Sequence, residues 1–266
     1  MNQTELLKII NISKRFGGLQ ALSRLNLSVN TGEIVSLIGP NGSGKTTLFN
    51  IITGVYPPTA GEVIYNGENI THRKTHEIIS RGISRVFQLT SLFSDDTVLE
   101  NVIAGSYSKI KLNSLEDFLN TRSAQRKRKA REERALEILR MLNMLHLKDK
   151  VASSLPYGSQ RLLELAISES AKSKLMLLDE PLCGMNPSEK IETIKLIRQI
   201  HKQDKVTMLL VEHDMKSVMD LSDRVIVLNF GEKIAEGKPD EVRGNKRVIE
   251  VYLGEGFVGD GKRNAP

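Results

Sequence analysis

"GPNGSGKT", Gly39 to Thr46, follows the short apolar run "EIVSLIG" (Glu33–Gly39) and runs directly into "KTTLFNIITG", a stretch of helical character. The octapeptide matches G-x-x-x-x-G-K-[ST] in full, in the strand–loop–helix setting that the pattern needs. Gly39, Gly42 and Gly44 let the backbone curl so that N–H groups point inward at phosphate oxygens. The helix N-terminus adds the positive end of its dipole. Lys45 reaches β- and γ-phosphates, and the Thr46 hydroxyl suits Mg²⁺. A buried strand feeding a phosphate loop predicts an α/β core of the P-loop NTPase type.

Further along the chain the pattern alternates between strand and helix. "EVIYNGENI" reads as a strand with a turn at Asn66-Gly67. From about Val98 to Lys150 the pattern is helical and charged, and "ERALEILRMLNMLHL" is strongly amphipathic. "KLMLLDE" (Lys174–Glu180) is a second buried strand, and "KVTMLLVEHD" and "DRVIVLNFG" are two more. Asn186 as N-cap and Pro187 at the first position start a helix. Ile191, Ile194, Ile197 and Ile200 are read as its inner face, and the tail "VGDGKRNAP" as disordered.

Composition bounds the rest. The chain has 266 residues, 39% hydrophobic and 26% charged, with one cysteine and a net charge of +6. This is the profile of a globular protein in a reducing compartment, without a disulfide framework. No apolar run approaches the roughly 18 residues that span a bilayer, and "MNQTELLKII" does not read as a secretory signal. The polycationic "RSAQRKRKAREER" (Arg122–Arg134) is read as a solvated helix with Arg128–Glu132 and Lys129–Glu133 pairs. No aromatic interrupts it, so it offers no platform for stacking bases.

A phosphate loop serves kinases, GTPases and ATPases alike. The guanine-reading N-K-x-D pattern is absent. Asp179 and Glu180 end a buried strand, at the sheet edge where ligands collect. Asp179 suits an acceptor for Mg²⁺-bound water, and Glu180 suits the group that polarises an attacking water. Gln88 follows a probable strand and is a candidate ligand for Mg²⁺ and water; the alternative is an ordinary surface glutamine. His213 ends another strand within reach of a γ-phosphate; the alternative is a structural histidine.

The series "GPNGSGKTT", "FQ", "LPYGSQR", "LMLLDE" and "VEHD" resembles an ABC-transporter ATPase subunit over nearly the whole chain. "KRFGGLQAL", "DEPLCGMNPSE" and "VIEVYLGE" are similar to the ATP-binding subunits of branched-chain amino acid transporters, specifically the one with the longer helical insertion. The resemblance implies a core with an antiparallel β-subdomain (1–90 and 158–240), a helical subdomain (91–157) with a signature at its end, and a C-terminal helix and tail (241–266). It implies ATP and Mg²⁺ as ligands. ATP would lie on the loop from Gly39 through Pro40, Asn41, Gly42, Ser43 and Gly44 to Lys45, Thr46 and Thr47. Phe16 matches the aromatic that stacks on adenine, and Thr46, Gln88 and Asp179 are the implied metal ligands.

By the same resemblance, Tyr157, Gly158 and Ser159 of "LPYGSQR" face the γ-phosphate of ATP held by a second ATPase subunit, with Glu180, His213 and Gln88 as the catalytic set. Pro156 replaces the family's serine there and brings neither hydroxyl nor N–H, which favours a heterodimer. Cys183 is read as a buried thiol. Transmembrane permease subunits, a substrate-binding protein and the cytoplasmic face of the membrane complete the implied system, with no nucleic acid. The alternatives are a related urea or lipid system, a soluble ATPase acting on nucleic acid, and a regulatory cassette that only binds.

Overall fold

A computed structural model describes residues 4–86, 92–106 and 121–253. They fall into two compact units, Met1–Arg73 with Leu209–Pro266, and Lys74–Met208. Gln88 and the tail from 254 lie outside the described residues.

The first unit opens with β1 (Glu5–Phe16) and β2 (Leu19–Asn30), an antiparallel pair in which Leu7 meets Val29 and Ile9 meets Leu27. These four side chains are buried. After β3 (Ile34–Ile38) and α1 (Lys45–Ile52) the chain returns as β4 (Ala60–Tyr65), antiparallel to β1, and β5 (Glu68–Asn69). Asn66 (φ 49°) and Gly67 (φ 80°) join the last two. Two successive positive φ values are what a tight hairpin demands, so the Asn-Gly reading holds. The result is an antiparallel sheet in the order β2-β1-β4-β5.

The second unit carries α2 (Thr75–Ser80), β6 (Ile83–Val86), α3 (Val98–Gly105), α4 (Arg122–Met141), α5 (Tyr157–Ser170), β7 (Leu175–Asp179) and α6 (Pro187–Asp204). Strands β6 and β7 run parallel, with Arg85 beside Leu177. All five residues of β7 are buried, as a strand covered on both faces requires. Strand β8 (Thr207–Val211) straddles the boundary between the units.

Back in the first unit come α7 (Met215–Leu221), β9 (Arg224–Asn229), β10 (Glu232–Gly237), α8 (Pro239–Arg243) and α9 (Lys246–Leu253). Strand β9 lies parallel to β3 and antiparallel to β10. A cluster of Ile38, Val218, Val225, Val227, Val242 and Val248 packs α7, α8 and α9 against β3 and β9. This core fixes the end of β3, from which the phosphate loop springs.

Three expectations need correction. Asn186 does cap α6, but Ile191 is 50% exposed, and the inward positions are Thr193, Leu196, Ile197 and Ile200. A strict three-residue spacing drifts about 60° per step on a helix that turns about 100° per residue, so Ile191 and Ile200 lie on opposite sides. Cys183 is exposed. Leu182 and Met185 take the inward places in its turn. The basic stretch is only partly solvated. Lys129 and Glu133 do pair at 3.8 Å on the surface, but Arg131 is 2% exposed.

Arg134 of that stretch also turns inward and donates to Glu169 (2.9 Å) and Asp204 (3.1 Å), tying α4, α5 and α6 together. Burial, reinforced by the Asp204 carboxylate, pushes the Glu169 carboxyl up to about 8. Its hydrogen bond to Asp204 holds the latter below its usual range. The native state therefore keeps a proton on Glu169 that the unfolded chain releases near pH 4.5. That contribution to stability is complete below pH 4.5 and drains away as pH rises toward 8. We expect the melting temperature of the wild type to fall relative to Glu169→Gln between about pH 5 and pH 8. Thermal unfolding of both across that range is the check; a constant difference would mean that Glu169 is ionised throughout.

Candidate functional site

The phosphate loop belongs to the first unit. Gly39 has φ +151°, and a Cβ there would lie 2.1 Å from the Leu228 carbonyl oxygen. Strand β9 thus presses so closely on the start of the loop that only glycine fits. Ser43 N–H donates to the Pro40 carbonyl (3.2 Å) and Gly231 N–H to the Ser43 carbonyl (3.1 Å), closing the turn and pinning it to the β9–β10 hairpin. Gly44 caps α1 without a side-chain acceptor.

Lys45 is 6% exposed. Its Nζ donates to the carbonyls of Gly39 (2.8 Å) and Pro40 (2.9 Å) and to Ser43 Oγ (3.3 Å). The ammonium is thus held by the loop's own oxygens. Asn41, Gly42 and Thr46 are exposed, and Thr47 is half-buried.

Phe16 ends β1 at 41% exposure, so it is not a core residue. Its ring stands edge-on to Tyr56 with centroids 5.5 Å apart, and Lys14 Nζ lies 5.0 Å from the Phe16 centroid. A flat aromatic face with a cation beside it suits a heteroaromatic base. His213 is exposed just beyond β8. Tyr252 of α9 hydrogen-bonds with the Gly39 backbone, and burial pushes its hydroxyl up to about 12. The last described helix therefore touches the first glycine of the loop.

The second unit supplies the carboxylates. Asp179, 2% exposed at the end of β7, receives a hydrogen bond from Arg85 Nη2 at 2.7 Å. Both side chains are almost wholly buried, and removing either partner of such a pair would leave the other's charge uncompensated. Glu180 follows at once, half-buried and with a left-handed backbone at φ +52°. Such a conformation is uncommon for a residue with a side chain, and it clusters at functional sites.

The same unit holds the signature segment. Helix α5 begins at Tyr157, with Pro156 as an N-cap that offers no side-chain hydrogen bond. Pro156 and Tyr157 are exposed, and Gly158 and Ser159 are half-buried. The partly exposed first turn presents backbone N–H groups and the positive end of the helix dipole.

Reading the sequence missed Arg85, Tyr56, Lys14 and Tyr252. Arg85 had a signal: an arginine inside the short strand run "ISRVF" must find a buried partner. The other three come together only through the fold.

Residues 22–183 match the family model described as "ABC transporter", and residues 232–258 match "Branched-chain amino acid ATP-binding cassette transporter". The chain belongs to the ABC transporter family, as an ATP-binding cassette ATPase. Within that family it is 39% identical to the high-affinity branched-chain amino acid transport ATP-binding protein BraF of Pseudomonas aeruginosa, over 94% of this chain and 98% of the relative. It is 40% identical to LivG of Escherichia coli (strain K12), with the same coverage. Among solved structures, the ADP conformation of MJ1267, an ATP-binding cassette of an ABC transporter, superposes with a TM-score of 0.82. That pair shares 32% identity over 95% of this chain and 100% of the other. No helix among the described residues is long and apolar enough to cross a membrane.

Proposed function

We propose that this chain is the ATP-hydrolysing subunit of an importer for branched-chain amino acids, docked on separate permease subunits at the cytoplasmic face of the membrane. The match of residues 232–258 to the branched-chain cassette model carries the substrate assignment, because the phosphate loop alone is common to every cassette. A substrate-binding protein delivers the amino acid to the permease.

Phe16, with Tyr56 beside it, takes the adenine, and the loop from Gly39 to Thr47 takes the phosphates. Lys45 exchanges loop oxygens for phosphate oxygens. The oxygen donors fit a hard divalent ion: Thr46 is exposed at the first turn of α1, and Asp179 offers a carboxylate. Such an ion, Mg²⁺, would be held by these two residues and Gln88, and would neutralise charge on the β- and γ-phosphates.

Glu180 polarises the attacking water, and His213 donates to the γ-phosphate. The partly exposed first turn of α5, at Tyr157, Gly158 and Ser159, faces ATP on a second ATPase subunit. Pro156 lacks a hydroxyl, so a partner with an ordinary signature serine supplies the better half-site, which favours a heterodimer.

The test is reconstitution. The chain, its partner ATPase and the permease are placed in vesicles with the binding protein and labelled leucine. ATP-dependent leucine uptake of at least tenfold over an ATP-free control is the expected result. An assembly that hydrolyses ATP but moves no branched-chain amino acid would overturn the substrate class.

A further inference from the structure

Tyr157 stands where the family pattern has a glycine, and its side chain is turned toward its own subunit. Arg161, 3% exposed, donates through both Nε (3.0 Å) and Nη2 (2.8 Å) to the Tyr157 hydroxyl. Its Nη1 donates to Glu164 at 2.9 Å. The guanidinium is thereby fixed, and it fixes the phenol. The ring then lies against Gly184, where a Cβ would sit 2.7 Å from Tyr157 Cε1 and 3.1 Å from Cδ1. Gly184 has φ +75°, in the turn between Glu180 and α6.

One residue along, a Cβ on Gly158 would lie 3.3 Å from Glu189 Oε1. Glu189 is itself locked by the capping box with Asn186, at 2.9 and 3.0 Å. The Glu180 carbonyl accepts from Cys183 N–H at 3.1 Å. The first turn of α5 therefore meets the turn after Glu180 at Tyr157 and the first turn of α6 at Gly158.

We infer that Tyr157 is a positioning residue: its Arg161-anchored ring braces the turn after Glu180 against the N-terminus of α5, so that the signature face and the Glu180 carboxylate of one subunit move together. The phenol acts through Gly184 and does not itself need to touch nucleotide. This rests on the reading of α5 as the face presented to the partner's ATP. If it holds, each chain couples its own carboxylate to the site completed by its signature.

The test uses the assembled ATPase pair with permease, comparing wild type, Tyr157→Phe, Tyr157→Gly, Gly184→Ala and the double variant Tyr157→Gly/Gly184→Ala. A methyl at 184 drives into the ring, so Gly184→Ala lowers kcat about tenfold or more and leaves the KM for ATP within about twofold. Removing the ring opens the space, so the double variant exceeds Gly184→Ala severalfold in kcat. Such non-additivity is the mark of a direct contact. The left-handed φ at 184 strains alanine in both backgrounds and cancels from that comparison. Tyr157→Phe keeps the ring and loses the anchor, and falls between wild type and Tyr157→Gly.

Additive losses in the double variant, or a Gly184→Ala assembly with wild-type kcat, would overturn the brace. The reading of the signature face has a separate readout, cross-linking of α5 to an azido-ATP bound by the partner. A labelled wild type with additive variants sinks the brace alone, and an unlabelled wild type sinks the face on which it rests.

Discussion

Lys45→Ala is expected to abolish ATP hydrolysis by the assembled transporter, with a loss of at least about 10²- to 10³-fold, the range seen when one preorganised donor to a developing anion is removed. Nucleotide binding weakens as well, by roughly ten- to a hundredfold, the equivalent of about 1.5–3 kcal/mol for hydrogen bonds to a charged group. The fold should survive. The acceptors left behind are the Gly39 and Pro40 carbonyls and Ser43 Oγ, in a loop whose Asn41 and Gly42 are exposed to water. Titration with a fluorescent ATP analogue and phosphate-release assays give both numbers. Wild-type turnover in the variant would remove the phosphate loop from the mechanism.

Glu180→Gln separates binding from chemistry. The amide keeps the shape and has the same backbone tolerance at φ +52°, but loses the carboxylate's basicity. A positioned base contributes about 10²- to 10⁴-fold, so turnover should fall by that factor while Mg-ATP still binds. A subunit that binds ATP and cannot cleave it should accumulate as an ATP-bound dimer, visible by size-exclusion chromatography. A variant that stays monomeric at saturating ATP and hydrolyses at the wild-type rate would assign the role elsewhere.

Much of this was legible in the residues because the decisive segments are short and their physics is local. The phosphate loop announces itself by glycine spacing, β3 and β7 by short, largely apolar runs, and α6 by Asn186-Pro187. The antiparallel sheet was not read from periodicity. In β1, Leu6 and Leu7 are both buried, and the pairing with β2 is interrupted by register shifts, so strict alternation is lost. The inner face of α6 was misplaced because isoleucines spaced by three look like a stripe on paper and spiral around a real helix. Arg134 was read as solvated because charge along a sequence does not reveal the buried carboxyl of Glu169, 35 residues on. Tyr252 could not be tied to Gly39 without the fold, since their contact is a pure product of tertiary closure.

The backbone at Glu180 has a consequence for how two adjacent carboxylates share one sheet edge. Consecutive residues of a strand project to opposite faces, so a strand continued through 180 would send Asp179 and Glu180 apart. The left-handed turn at Glu180 interrupts that alternation one residue after Asp179, at a strain of roughly 1–2 kcal/mol that glycine would not incur. Glycine is the conformational solution at this position and is chemically mute. A protein that needs the carboxylate there must keep a backbone that its own side chain disfavours, and the buried, apolar strand β7 supplies the rigidity to hold it. With the role proposed for Glu180, side-chain chemistry and backbone preference pull in opposite directions at this one residue.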